Sequence, residues 1–135
     1  KTGDFIGVGL SRSVVFPKSG VFLSYKTNYE HFYATSSIET YIKRSFDLST
    51  RQALNSTTFA STNIGYSYKD YEAKDPFLGL RSDKALNLRF GLTKIIDLCW
   101  NADVGVTFSS NKSTIGLYAR SNEGIAVKFN YLCTE

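Results

Sequence analysis

Apolar and polar residues alternate strictly over long stretches of this 135-residue chain. The pattern is clearest in residues 85–95 and returns in residues 6–11, 100–108 and 125–131. Because successive side chains of a β-strand point to opposite faces, a period of two predicts strands with one apolar and one polar face. The predicted apolar face, directed to lipid or to a cavity, includes Leu86, Leu88, Phe90, Trp100, Val104, Val106 and Phe129.

Turn-forming residues divide the chain into eight predicted strands. Residues 17–20 have the composition of a tight turn, and residues 96–97 and 121–123 mark two further connections. The length of the chain predicts a single domain over residues 1–135. The predicted strands span about residues 4–16, 20–33, 36–47, 56–70, 83–97, 98–110, 113–120 and 123–132.

Two segments carry a weaker pattern. Residues 36–47 fit a strand but also a helix, because Ile38, Tyr41 and Ile42 recur at helical spacing. The strands predicted on either side favour a strand there. Residues 71–82 contain charges, a proline and a glycine, and they predict an exposed loop.

The number and spacing of the strands predict the architecture. Eight antiparallel strands in so short a chain predict an all-β fold, a closed antiparallel up-and-down β-barrel of about eight strands, because closure removes sheet edges. No apolar run approaches the roughly 20 residues of a transmembrane helix, whereas a transmembrane β-strand needs only about 10 alternating residues. The chain contains no methionine, so Lys1 is expected to be a processed or cut end.

The residue types on the polar face indicate which side of the barrel is inside. A solvated face is usually rich in Lys and Glu, but this face is rich in Gly, Ser, Asn and Thr. Small polar residues suit the narrow interior of a membrane barrel whose apolar face points to lipid. Tyr29, Tyr66 and Trp100 lie toward strand ends, as in the aromatic girdles of such barrels. We therefore predict transmembrane β-strands in a bacterial outer membrane, with the lipid bilayer as partner.

Charges on the predicted interior face are expected to pair, because an unpaired buried charge is costly. Arg89 and Asp103 are placed opposite each other in the hairpin that turns near residues 96–97. Lys128 would join them from the last strand. The sequence thus predicts an interior polar network of Arg89, Asp103 and Lys128.

The C-terminal half carries a family resemblance. Its segments are Arg81-Ser-Asp83 before a strand, the hairpin near Asp97, the run from Ser113 to Arg120 and the run from Ile125 to Tyr131. Within residues 56–132 these resemble the closing strands of outer-membrane barrels attached to periplasmic helical repeats, of which the surface lipoprotein assembly modifier family is one. Barrels of that family exceed eight strands, so the resemblance implies a fragment or a smaller relative. Outer-membrane barrels often end on an aromatic residue, whereas Leu-Cys-Thr-Glu follows Tyr131 here.

Catalytic and cofactor chemistry have little support in the sequence. His31 is the only histidine, and no Gly-x-Ser-x-Gly motif supplies a nucleophile. Cys99 and Cys133 lack the spacing of a metal site, and whether they form a disulfide stays open. The net charge is +4, but basic residues do not cluster, so nucleic acid is not an expected partner. We expect no enzymatic activity, no cofactor and no metal.

The predicted function lies in the membrane and the loops. An eight-stranded barrel is filled by side chains, so we expect a membrane scaffold or a cell-surface interaction or adhesion protein, with a protein partner at loop 71–82. A transport pore is predicted instead if a longer chain or several copies complete a larger barrel. One alternative is a soluble, lipocalin-like barrel that carries a small apolar ligand. Another is a β-sandwich that binds sugars or proteins, and both alternatives would be secreted or periplasmic.

Overall fold

The computed structural model describes residues 3–35, 39–74, 77–97 and 99–131. These residues form strands separated by short connections, and one connection contains a 3₁₀ turn at Gly116–Tyr118. The strands are β1 (Gly3–Phe16), β2 (Val21–Ala34), β3 (Tyr41–Asn55), β4 (Thr58–Tyr71), β5 (Ser82–Ile95), β6 (Trp100–Ser113) and β7 (Arg120–Tyr131).

All seven strands belong to one sheet, in which each strand pairs antiparallel with its neighbours in sequence. The predicted all-β, up-and-down topology is therefore confirmed. The predicted closed barrel of eight strands is wrong, because the sheet is open and has β1 and β7 as its edges. Alternation assigns a residue to a face, but closure needs hydrogen bonds between the first and last strands, which alternation does not encode.

The strand predicted over residues 113–120 is also wrong, and its loss accounts for the difference between eight strands and seven. The Tyr118 amide donates to the Ile115 carbonyl oxygen at 3.0 Å, and the Ala119 amide donates to that of Gly116 at 3.1 Å. These i to i−3 bonds close a 3₁₀ turn. Ile115 is buried, so its apolar character reflects the packing of this turn and not a strand face.

The strand interpretation of the third segment is confirmed, with different bounds. β3 begins at Tyr41 and continues to Asn55, through residues predicted to form a connection. Ser49 of this stretch pairs with Asn63, and Thr50 pairs with Thr62. Hydroxyl and amide side chains suit the polar positions of a pleated sheet, so the weak apolar signal there concealed a strand. Of the earlier predicted residues, 36–38 lie outside the described part.

The connections at the two ends of the sheet differ in length. Residues 17–20, 56–57 and 96–99 form the connections at one end, which we call the turn end. Residues 35–40, 72–81 and 114–119 form those at the other end, which we call the loop end. Four of the five buried residues in the described part of the chain lie at the loop end, where Tyr71, Ile115, Thr40 and Asp83 are each less than a tenth exposed. The described residues thus have a small packed cluster at one end and no continuous core.

Cross-strand register divides the strand residues into two faces. Paired residues share a face, so the pairs Leu88–Phe108 and Phe90–Val106 lie on the apolar face. The pairs Arg89–Thr107 and Asn87–Ser109 lie on the polar face. The polar face is built mainly of Gly, Ser, Thr, Asn and charged residues, and its apolar exceptions lie near strand ends, for example Phe5, Phe22 and Phe59.

Candidate functional site

The apolar face is the largest candidate site. Each strand contacts its sheet neighbours, and no other described strand packs across this face. Val8 is 71% exposed and Ile125 is 78% exposed, which is unusual for aliphatic side chains in strands this long. Every residue predicted to be lipid-facing or cavity-facing lies on this face, namely Leu86, Leu88, Phe90, Trp100, Val104, Val106 and Phe129.

A band of aliphatic and aromatic side chains crosses this face, and charged or aromatic residues lie at its two margins. We call it the apolar band. On β1 the apolar band lies between Asp4 and Arg12, and on β5 it lies between Lys84 and Lys94. On β7 it lies between Glu123 and Tyr131. Its members on these strands are Ile6, Val8 and Leu10; Leu86, Leu88, Phe90 and Leu92; and Ile125, Val127 and Phe129.

The apolar band crosses the strands diagonally. Register places Glu123 of β7 in the same row as Arg12 of β1, through one residue of each intervening strand. The loop-end boundary at Asp4 therefore shifts to Arg12, eight residues further along β1, over the six steps from β1 to β7. With about 3.4 Å per residue and about 4.8 Å between strands, the band makes an angle of about 43° with the strand rows.

Aromatic side chains lie at both margins of the apolar band. At the turn end, Trp100 of β6 pairs with Tyr131 of β7, and their ring centroids are 5.0 Å apart. At the loop end, Tyr29 and Tyr68 lie in one row, on either side of Arg44. Rings with an apolar body and a polar tip favour the boundary between hydrocarbon and water.

The predicted interior residues all lie on the polar face, but they do not form the predicted network. Asp103 pairs in register with Thr93 and Lys128, and Arg89 pairs with Thr107, so Arg89 and Asp103 do not face each other. Asp103 Oδ1 accepts from Thr93 Oγ1 at 2.6 Å, and Asp103 Oδ2 accepts from Asn130 Nδ2 at 2.7 Å. Among the described residues, no ion pair joins Asp103 to Arg89 or Lys128.

Other polar-face side chains find partners across the strands. Lys43 Nζ donates to Glu30 Oε2 at 3.3 Å, and Asn28 Nδ2 donates to Ser45 Oγ at 3.3 Å. Near the middle of this face runs a groove of about 330 Å³. The polar side chains that line it are Asp47, Ser49, Asn63, Asn87, Arg89, Thr107 and Ser109.

A cluster around Arg81 closes the loop end. Its guanidinium donates two hydrogen bonds to Asp83 Oδ2, from Nε at 3.1 Å and from Nη2 at 2.6 Å. The same group lies over the Tyr71 ring at 4.4 Å and over the Tyr118 ring at 3.5 Å. Burial alone would lower the pKa of Arg81, but the bonds to Asp83 raise it above its ordinary value. Arg81 thus stays charged between two rings.

This cluster ties the loops to the strands. The Tyr71 amide donates to the Arg81 carbonyl oxygen at 3.1 Å, and the Glu72 amide donates to that of Thr40 at 3.0 Å. The Thr114 amide donates to the carbonyl oxygen of Ser82 at 3.0 Å. The sequence did not predict this cluster, although Arg81 and Asp83 belong to the segment that carries the family resemblance. The sequence signal for the cluster was an arginine and an aspartate two residues apart, on either side of the start of a predicted strand.

His31 lies beside the same loops. Its Nε2 is 2.7 Å from Glu72 Oε1, without hydrogen-bond geometry, and its ring stacks on Tyr33 with a centroid distance of 3.9 Å. Neither neighbour is a nucleophile of the kind a histidine activates. The arrangement anchors Glu72 near β2.

The cysteines and acidic residues contribute little to a site. Cys99 is disulfide-bonded, and the chain's other cysteine, Cys133, lies outside the described residues. Within the described ranges, no three His, Cys, Asp or Glu side chains are grouped to hold a metal ion. No helix in those ranges is long and apolar enough to cross a membrane.

Comparison with models of known protein families, with curated proteins and with solved structures found no match.

Proposed function

We propose that this sheet is a section of the wall of a non-enzymatic membrane β-barrel larger than the chain itself, in a bacterial outer membrane. Its apolar face contacts lipid, and its polar face lines the interior. The loops at the loop end extend beyond the bilayer. In this role the chain acts as a membrane scaffold or as part of a transport pore, with its loops available for interactions.

The diagonal apolar band is the observation that carries this proposal. A bilayer is level, and strands of a membrane barrel tilt by roughly 35–45°. The residues that face hydrocarbon must therefore shift along each successive strand. The loop-end boundary shifts by eight residues from β1 to β7, an average angle of about 43°. Four residues of the shift occur between β1 and β3, and four occur between β6 and β7, while Arg44, Lys84 and Lys112 share one row between them.

The different lengths of the connections at the two ends of the sheet support an orientation in the membrane. Membrane barrels of the outer-membrane type have short periplasmic turns and longer extracellular loops. Here the connections at the turn end span residues 17–20, 56–57 and 96–99, and the longest connection at the loop end spans residues 72–81. We therefore assign the loop end to the outer surface.

The two open edges of the sheet support a barrel wall with more strands than this chain supplies. β1 and β7 each pair on one side only, so each presents a row of unpaired backbone N–H and C=O groups. Hydrocarbon offers no hydrogen bonds, and each unsatisfied group costs several kcal/mol there. In a bilayer both edges must pair with further strands, from a longer chain or from other copies. A wider barrel leaves room for an aqueous interior, which favours transport.

Exposed apolar residues at the tip of loop 72–81 favour an additional role in protein recognition. Phe77 is 93% exposed and Leu80 is 56% exposed, although the Arg81 cluster holds the base of the loop. Apolar side chains presented on an anchored loop are typical of interaction surfaces. The loop is therefore the surface to test for a protein partner.

Quenching of the single tryptophan tests the membrane proposal. The protein is reconstituted into phosphatidylcholine vesicles whose acyl chains carry bromine either near the glycerol or near the methyl end. Trp100 lies at the turn-end margin of the apolar band, so bromine near the glycerol should quench its fluorescence more strongly. If the protein remains folded in buffer and neither lipid quenches Trp100, the membrane proposal is wrong and a soluble protein is indicated.

A further inference from the structure

We propose that the loop-end margin of the apolar face binds the phosphate groups of anionic lipid headgroups, through Arg44, Lys84 and Lys112. This inference rests on the proposed membrane function and deepens it by naming a lipid class. No lipid preference follows from the alternation of residues or from the apolar band.

Three basic residues come together in one row of the apolar face. Register pairs Arg44 with Tyr68, Tyr68 with Lys84, and Lys84 with Lys112, so the row crosses β3, β4, β5 and β6. Tyr29 of β2 extends the row on the other side of Arg44. The row reads Tyr-Arg-Tyr-Lys-Lys across five strands, although its members are far apart in the sequence.

This arrangement carries an unbalanced positive charge. Lys84 and Lys112 occupy directly opposed positions, where like charges destabilise an antiparallel pair. Among the described residues, neither lysine nor Arg44 forms an ion pair. The nearest carboxylate in the adjacent row toward the loops is that of Asp70, which pairs in register with Ser82 and Ile42. An anion from outside the chain would relieve the repulsion.

Lys94 is a basic residue at the opposite, turn-end margin of the apolar band, and it allows a comparison with the loop-end cations. It lies on the same face of β5 at the turn end, and its Nζ donates to Thr57 Oγ1 at 2.8 Å and to Thr58 Oγ1 at 3.4 Å. Lys94 therefore has hydrogen-bond partners within the chain, whereas Lys84 at the loop end has its Nζ 5.6 Å from the centroid of the Tyr68 ring and, among the described residues, forms no ion pair. Arg12 of β1 also lies at the turn-end margin, so the loop-end margin is distinguished by the alignment of three cations in one row.

The row also borders a groove that suits a lipid. The groove has a volume of about 450 Å³ and is bounded by Arg44 and Lys84, with Tyr68 between them. Its lower wall is apolar and includes Phe46 and Tyr66, which lie in the next row toward the band. Cationic groups above an apolar surface match a phosphate above its acyl chains, and aromatic rings favour that depth. A free anion would use the cations but not the apolar wall.

Lipid selectivity measured with spin labels tests this inference. The full chain is reconstituted into phosphatidylcholine vesicles that contain spin-labelled phosphatidylcholine or spin-labelled phosphatidic acid. Electron paramagnetic resonance gives the fraction of each label whose motion the protein restricts. We expect the wild type to favour phosphatidic acid by about two- to fivefold at low salt, since basic residues attract anionic lipid and salt screens the attraction.

The variants separate the row from general charge. Combined Arg44→Gln, Lys84→Gln and Lys112→Gln substitutions should bring the preference close to one. The matched control removes three basic groups elsewhere, through Lys18→Gln, Lys26→Gln and Lys128→Gln, and should keep the preference. Equal loss in both variants, or no loss in the first, would overturn the inference.

Two further outcomes separate the possible failures. If restricted phosphatidylcholine is present but phosphatidic acid is not preferred, the headgroup site is wrong and the membrane function stands. If no lipid is restricted, both proposals are wrong. Inorganic phosphate added in excess should leave the preference in place, and its loss at constant ionic strength would show a site for free phosphate.

Discussion

The two faces of the sheet differ in how many of their side chains find partners within the chain. On the polar face, Asp103 accepts two side-chain hydrogen bonds, and Glu30 pairs with Lys43. On the apolar face, Val8 and Ile125 are more than two-thirds exposed, and no described strand covers them. Several charged and polar side chains of the polar face thus find partners within the chain, whereas the side chains of the apolar band lack a covering layer among the described residues.

This difference reverses the arrangement of a water-soluble sheet. A soluble sheet buries its apolar face against a second layer and leaves the polar face to water. Here, partnered polar groups and an uncovered apolar band occur together, and the tilt of the band is what the proposed membrane location would require. The following predictions test whether the two faces do occupy different environments.

The largest effect is expected from one charge placed on either face of β7. Val127 and Ala126 are consecutive residues on opposite faces. Val127→Arg should lower the free energy of unfolding in vesicles by about 2–4 kcal/mol, because it places a charge near the middle of the apolar band. Ala126→Arg directs the same charge toward the polar face and should cost less than about 1 kcal/mol. Urea unfolding followed by Trp100 fluorescence measures both, and equal costs would refute the assignment of faces.

A smaller effect is expected at the loop end. Asp83→Asn should lower the free energy of unfolding by about 2–3 kcal/mol, because it leaves the half-buried Arg81 without its charged acceptor. Exchange of the Tyr71 amide hydrogen, which bonds to the Arg81 carbonyl oxygen, should become faster. The matched control, Glu30→Gln, breaks the more exposed pair with Lys43 and should cost at most about 1 kcal/mol. An unchanged exchange rate would show that the ion pair does not hold the loop.

The next effect concerns the polar face alone. Asp103→Ala removes the acceptor for Thr93 Oγ1 and Asn130 Nδ2 and should cost about 1–2 kcal/mol, measured by urea unfolding. Asp47→Ala is the control, because Asp47 lies on the same face and is exposed. It should cost a few tenths of a kcal/mol. A similar cost for both would mean that the bonds of Asp103 contribute nothing to stability.

The smallest effect on stability is expected from a short epitope inserted after Gly79. This glycine has φ +85°, and apart from its own chain neighbours nothing lies within 4 Å of the position of an added Cβ, so the loop has room there. Antibody should label intact bacterial cells that carry this insertion in the outer membrane. The same epitope inserted after Lys18, in a turn-end connection, should be labelled only after the membrane is opened. The opposite result would reverse the orientation of the sheet.

The sequence was most informative where its period was strong. The stretches around Leu88, Val104 and Val127 became strands with the predicted apolar face, because side-chain alternation is a local property of an extended backbone. It was least informative around Ile115, where an apolar residue is buried by a turn. The connection after β3 was misplaced because the hydroxyl-rich residues around Ser49 and Thr50 pair well in a sheet without an apolar signal.

The residues of the candidate sites divide in the same way into those that the sequence predicts and those that it does not. The seven residues of the apolar face were predictable, since each belongs to an alternating run. The partners of Asp103 were not predictable, because register decides whether Arg89, Thr93 or Lys128 lies opposite it. The row of Arg44, Lys84 and Lys112 was equally hidden, since its residues meet only when four strands are aligned.

The sequence alone determined that this protein forms long antiparallel strands with one apolar and one polar face, because both properties depend on neighbours along the chain. The tertiary structure decided that the sheet is open, that the apolar band is tilted, and that the basic residues align at its margin. These features depend on hydrogen bonds and register between strands, which join residues that are distant in the sequence.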